Sequence, residues 1–190
     1  MKYDIKPIET YYSDVKFRSR LEASWAAFFD LMGWDWEYEP FELKGWFPDF
    51  LISHKKHGDG ELLVEVKPFD FKNEKYYTDC ARKITHNYHD EFLLVGANPM
   101  AANTVEEFWK NSGIGLLICR DTEDPSRGDF IDVAVLNYNG HYDIIGGWGS
   151  WKTRFSGEYD GDSLVKPISE RTIEHYWKTA RNSTQWKKYR

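Results

Sequence analysis

Only two cysteines occur in the 190 residues, Cys80 and Cys119, and they stand far apart and outside any metal-ligand spacing. That gives no zinc site and fits buried thiols in a reducing cytoplasm. No apolar run approaches the roughly 20 residues that a membrane-spanning helix needs, so no membrane partner is expected. The charged stretch Met1 to Thr10 is not followed by an apolar h-region, so secretion is not expected either and the chain reads as cytoplasmic. Internal repeats and low-complexity tracts are also missing. What remains, with 41% hydrophobic and 29% charged residues, has the composition of a soluble globular protein of one domain, residues 1–190.

The formal net charge is -6, which at first argues against a polyanionic partner. The charge is unevenly spread, however. Six Lys or Arg lie between Arg171 and Arg190 (Arg171, Lys178, Arg181, Lys187, Lys188, Arg190) against the one acid Glu174, and Lys16, Arg18 and Arg20 precede the first helix. Local positive surface can therefore coexist with an acidic centre, although a solvated helix face and tail explains the terminal cluster equally well.

Hydrophobic periodicity orders the chain. Leu21, Trp25, Phe28, Phe29 and Met32 predict a helix over Ser19 to Met32, with Ser19 as N-cap and Gly33 to end it. Trp36 to Leu43, Trp46 to Ile52 and Glu61 to Pro68 read as an antiparallel meander. A helix over Lys75 to Thr85 follows, then buried strands over Glu91 to Ala97 and Gly115 to Cys119, with a helical turn at Thr104 to Lys110 between them. Asp129 to Tyr138 reads as a strand and His141 to Trp151 as its hairpin partner. A basic C-terminal helix and tail, 168–190, has Ser169 as cap and Ile173, Trp177 and Ala180 as its inner face. The expected fold is α/β, a central mixed β-sheet flanked by helices.

One strand breaks its own pattern. Glu65 and Lys67 flank Val66 inside the apolar run from Leu62, so alternation places both on one face and Val64 and Val66 on the other. Burying charge is costly unless it is paired or bound to a metal. Asp49, after Pro48, lies in the neighbouring apolar stretch Gly45 to Ile52. The two segments are close enough in sequence to be adjacent strands, and together they could hold a divalent cation beside an ammonium group.

The helix-borne Arg20-Leu21-Glu22, then Pro48-Asp49, then Glu65-Val66-Lys67, then a helix and the apolar strand Phe92 to Val95 resemble the PD-(D/E)XK nuclease superfamily, the restriction-endonuclease-like fold. Phe17 to Trp25, Gly33 to Pro40, Trp46 to Leu51 and Leu62 to Lys67 look like its small phage and bacterial members, which places the chain in a bacterial or phage-infected cell. The resemblance ends near Ala97. It implies a restriction-endonuclease-like core, an Mg²⁺-dependent nuclease acting on DNA with Mn²⁺ able to substitute, Asp49, Glu65 and Glu22 as metal-binding acids, and Lys67 as the catalytic lysine. The helix after the Glu-x-Lys strand often supplies a polar residue to such sites, and Lys75, Tyr77, Arg82 and Lys83 all lie in the matching segment.

Each motif also has a structural reading. Ser19-x-x-Glu22 fits a capping box. Pro48-Asp49 fits a turn, and Glu65-x-Lys67 fits a cross-strand pair on a sheet edge. Their order and spacing together favour chemistry. Candidate nucleic-acid contacts are Arg18, Arg20, Lys75, Arg82, Lys83 and Arg181, with Trp148 and Trp151 as stacking surfaces in a Gly-rich stretch. Trp25, Trp34, Trp109 and Trp177 read as core. His54 and His57 flank a Gly-rich turn and read more naturally as exposed turn residues than as metal ligands. No helix-turn-helix or zinc finger is present to read sequence. A single small site would need a homodimer, or a second event, to cut both strands. A non-cleaving nucleic-acid-binding module on the same fold, or a protein that binds a host or defence factor through its acidic surface, are the competing functions.

Overall fold

Ser19 is extended (φ -138°, ψ 154°), and its hydroxyl accepts from the Glu22 amide while the Glu22 carboxylate accepts from the Ser19 amide, both at 3.2 Å. This reciprocal cap starts α1 (Arg20–Met32), and Gly33, left-handed at φ 73°, ends it. The computed structural model describes residues 7–54, 60–100, 113–120, 128–138, 140–146, 155 and 166–185. Its other elements are β1 (Thr10–Tyr12), β2 (Val15–Phe17), β3 (Trp34–Tyr38), β4 (Phe50–His54), β5 (Glu61–Val66), α2 (Glu74–Thr85), β6 (Phe92–Val95), β7 (Gly113–Arg120), β8 (Asp129–Tyr138), β9 (Tyr142–Gly146) and α3 (Glu170–Ser183). Among the described residues no helix is long and apolar enough to cross a membrane.

Seven strands form one mixed sheet in the order β3-β4-β5-β6-β7-β8-β9, with every pair antiparallel except β5 and β6. A parallel pair needs a crossover, and α2 supplies it. Strand alternation then builds two cores. Val64, Val66, Leu93, Val95, Leu117 and Leu136 pack with α1 and α3, whereas Leu63, Phe92, Leu94, Leu116, Ile118 and Val133 pack with α2. Both faces of the central strands are therefore buried, and this is why they read as unbroken apolar runs. The sheet curls strongly: Trp34 on β3 donates to the Tyr142 carbonyl on β9 at 2.9 Å, although these strands are first and last in the order.

Close packing of β6 on β7 depends on Gly115, where a Cβ would come within 2.4 Å of the Leu94 carbonyl oxygen. Because that neighbour is backbone and cannot rotate away, Gly115→Ala is expected to cost about 2–3 kcal/mol in urea denaturation. An unchanged midpoint would show that the two strands are less tightly apposed.

Several boundaries differ from the sequence expectation. The first two meander strands are β3 at Trp34–Tyr38 and β4 at Phe50–His54, because Leu43 and Trp46 instead pair with each other across a tight turn at Gly45 (φ 76°). The β1–β2 hairpin was not expected: its turn uses Ser13 and Asp14 at φ 50° and 63°, a primed-type turn made without glycine. Ser169 caps α3 and Ile173, Trp177 and Ala180 are its buried face, as the periodicity predicts. The expected turn at Thr104 to Lys110, Trp109, and tail residues 186–190 lie outside the described residues.

Candidate functional site

The site forms where β4 begins beside the end of β5. The Asp49 amide donates to the Val64 carbonyl and the Asp49 carbonyl accepts from the Glu39 amide, each at 3.0 Å, so this backbone is fixed by the ladder. The Lys67 amide likewise donates to the Val95 carbonyl at 2.9 Å, which locks the residue after β5 to the parallel strand. Each of the three charged side chains thus leaves a rigid strand end.

Asp49 is buried, and both its oxygens are engaged: Oδ2 accepts from the Val66 amide at 2.8 Å and Oδ1 takes Nη2 of Arg18 at 2.7 Å. Glu65 is buried too. Its Oε1 pairs with Lys67 Nζ, and its Oε2 accepts from the Trp46 indole at 2.7 Å. Lys67 is 35% exposed, so its ammonium links a buried acid to open space. That space is a cleft of about 710 Å³ whose walls include Arg18, Glu22, Asp49, Val66, Lys67 and Arg181. Glu65 does not line the cleft; it lies behind Lys67, on the α2 side under Trp46.

Burial pushes the Asp49 carboxyl up to about 7, reinforced by the charge of Glu65 and opposed by Lys67 and the Val66 amide. Burial works against the Lys67 ammonium, yet Glu65 and Asp49 hold its pKa above the ordinary lysine value. Lys67 therefore stays charged at neutral pH.

Glu22 caps α1, as its capping-box context predicts, and the same carboxylate faces the cleft. Its Oε2 accepts from the Ser19 amide and from the Tyr38 hydroxyl at 2.6 Å, and its carboxylate also walls the cleft and adds to the upward shift of Asp49. Among the described residues, no three or more His, Cys, Asp or Glu side chains gather closely enough to form one metal-ligand set. The buried carboxylates beside Lys67 are Asp49 and Glu65, with Glu22 at the cleft wall. Each carboxylate oxygen has a second lone pair beyond the bond it makes, and such oxygens are the donors a hard cation takes.

The remaining candidates divide clearly. Arg20 and Arg181 are exposed and line the cleft. On α2, Lys75 is exposed and does not line it, and exposed Arg82 lies 3.8 Å from Asp79. Lys83 is exposed but near enough to Cys80 to act on its charge. Cys80 is the α2 residue that senses the site: burial and the Glu65 charge push its thiol up to about 11. His54 is buried against His141 at the far end of β4, ring centroids 4.8 Å apart, and so is not an exposed turn residue. Trp25, Trp34 and Trp177 are core. Trp148, Trp151 and His57 lie outside the described residues.

Sequence reasoning missed Arg18 as the partner of Asp49, and Trp46 and Tyr38 as the groups holding Glu65 and Glu22. These contacts span 31, 19 and 16 residues, respectively, and no local pattern marks them. Comparison with family models, with curated proteins and with solved structures finds no match to this chain.

Proposed function

We propose that the protein is a metal-dependent nuclease that hydrolyses phosphodiester bonds in DNA, built on a restriction-endonuclease-like core. The observation that carries this reading is the buried pair Asp49 and Glu65 set against Lys67 beside an open cleft. Two mutually repelling buried acids are an expensive arrangement if stability is their only purpose. The elements α1, β4, β5, α2 and β6 also follow one another in the order of the segments on which the sequence resemblance rests.

The two carboxylates suit Mg²⁺, which takes one or two such ligands and completes an octahedron with water and substrate phosphate. Bound there, the ion would polarise the phosphodiester and lower the pKa of a water. The chain's own groups do the rest. The Val66 amide fixes the Asp49 rotamer, and Trp46 fixes that of Glu65. Lys67, kept charged by its acidic neighbours, stabilises the negative charge that builds on the phosphoryl oxygens in the transition state. Arg20 and Arg181 on the cleft wall supply salt-dependent contacts to flanking phosphates.

Purified protein should cut plasmid or linear DNA with Mg²⁺ or Mn²⁺ and stop in chelator, with RNA assayed in parallel. Failure to cut DNA or RNA of any form while metal is bound would overturn the reading. The acids also predict a pH dependence. Metal binding requires the ionised carboxylate, and Asp49 holds its proton up to about pH 7. Mn²⁺ affinity should therefore fall about tenfold per unit below that pH and level off above it. Titration calorimetry at several pH values checks this, and an affinity constant between about pH 5.5 and 8 would contradict it.

A further inference from the structure

Arg18 stands where the proposed metal site and the proposed substrate path meet. Its Nη2 is 2.7 Å from Asp49 Oδ1, its Nε is 2.9 Å from Glu39 Oε1, and the same Nε donates to the Tyr38 hydroxyl at 3.2 Å. The acid is buried but the arginine is not: the side chains are 5% and 57% exposed. The Arg18 amide also donates to the Tyr38 hydroxyl at 3.2 Å, so the backbone is anchored beside the N-cap Ser19, and the guanidinium, 57% exposed and held only through side chains, lines the cleft.

A guanidinium on Oδ1 and a divalent cation on the same carboxylate repel one another. A phosphate entering the cleft offers the guanidinium a planar, bidentate partner at least as good as Asp49. On the reading of this site as a nuclease centre, we propose that Arg18 couples substrate to metal: it neutralises Asp49 while the cleft is empty, and transfers to a phosphate of the entering nucleic acid, opening Oδ1 to the divalent cation. Each ligand then raises the affinity of the other by the same factor, as linkage requires. Arg18 is on this account a positioning residue that keeps metal binding weak until substrate arrives.

The test is Mn²⁺ affinity, read by electron paramagnetic resonance of the free ion at about pH 8. It is measured with and without a cleavage-resistant phosphorothioate DNA duplex, after subtracting Mn²⁺ bound by the duplex alone. With Arg18 in place, DNA should tighten Mn²⁺ binding about tenfold, within the usual range of coupling between sites. Arg18→Ala and Arg18→Gln should bind Mn²⁺ several-fold more tightly without DNA, and the tightening by DNA should shrink several-fold, to what direct ligation of the ion by phosphate supplies. Thermal melting of each variant confirms that it is folded. If Arg18→Ala leaves both the DNA-free affinity and the coupling unchanged, Arg18 is a structural ion pair and the inference fails while the metal site stands. If no form of the protein binds Mn²⁺, the nuclease reading falls and takes this inference with it.

Discussion

Asp49→Asn and Lys67→Ala are each expected to reduce DNA cleavage by at least about a hundredfold to a thousandfold, the usual loss when a preorganised charge at the reacting centre is removed. Their effects on stability should have opposite signs. Asp49 has a folded pKa of about 7 against an ordinary 3.8, so between those values the folded chain holds a proton that the unfolded chain has released. Stability from this group therefore falls as pH rises from 3.8 to about 7, and the full penalty stands above that. Asp49→Asn keeps an acceptor for the Val66 amide and removes the burial cost of the charge and the repulsion with Glu65, against the loss of the attraction to Lys67 and of a partly exposed pair with Arg18. It should stabilise the metal-free protein at pH 8 by on the order of 1–3 kcal/mol, and much less at pH 4. Lys67→Ala leaves buried Glu65 without its cation and should destabilise. Urea denaturation in chelator, run beside a cleavage assay, measures both. Equal destabilisation by the two substitutions would mean that the acids and lysine form an ordinary structural network.

Trp25→Ala is expected to cost about 3–5 kcal/mol, a large share of the roughly 5–15 kcal/mol that holds a domain folded. Trp25 is fully buried on α1, with ring centroids 4.5 Å from Trp177 and 5.4 Å from Phe28, and its indole donates to the Gly96 carbonyl at 2.9 Å. Truncation leaves a large cavity between α1 and α3 and an unsatisfied buried carbonyl just after β6. Trp25→Phe fills most of the space and isolates the hydrogen bond, at about 1–3 kcal/mol. Because Lys67 is tied to Val95, one residue before Gly96, the loss should also lower cleavage in the fraction that stays folded. A Trp25→Ala protein within about 1 kcal/mol of the original would contradict this view of the core.

What the sequence makes legible is local. Ser19 with Glu22, Gly33 and Ser169 mark helix ends by chemistry confined to three or four residues, and the structure has those caps. Alternation in Leu62 to Val66 separates the two sheet faces, and Asp49, Glu65 and Lys67 do meet at one strand end. What it hides depends on distant contact or on unusual backbone. The Ser13-Asp14 turn lacks the glycine that signals φ > 0. Trp46 looks like a strand residue but covers Glu65 from a turn. Arg18 looks like one of several surface cations until the fold brings Asp49 to it. Glu22 offered a cap or a metal ligand; the fold realises the cap, and because the N-terminus of α1 lines the cleft the same carboxylate faces it.

The central claim is that Asp49 and Glu65 form a cation site beside Lys67, and anomalous diffraction from crystals soaked in Mn²⁺ tests it most directly. An anomalous peak about 2.1–2.3 Å from oxygens of both Asp49 and Glu65 is the predicted result. A map with no peak there at saturating Mn²⁺, or with the ion bound only at other carboxylates, would contradict it.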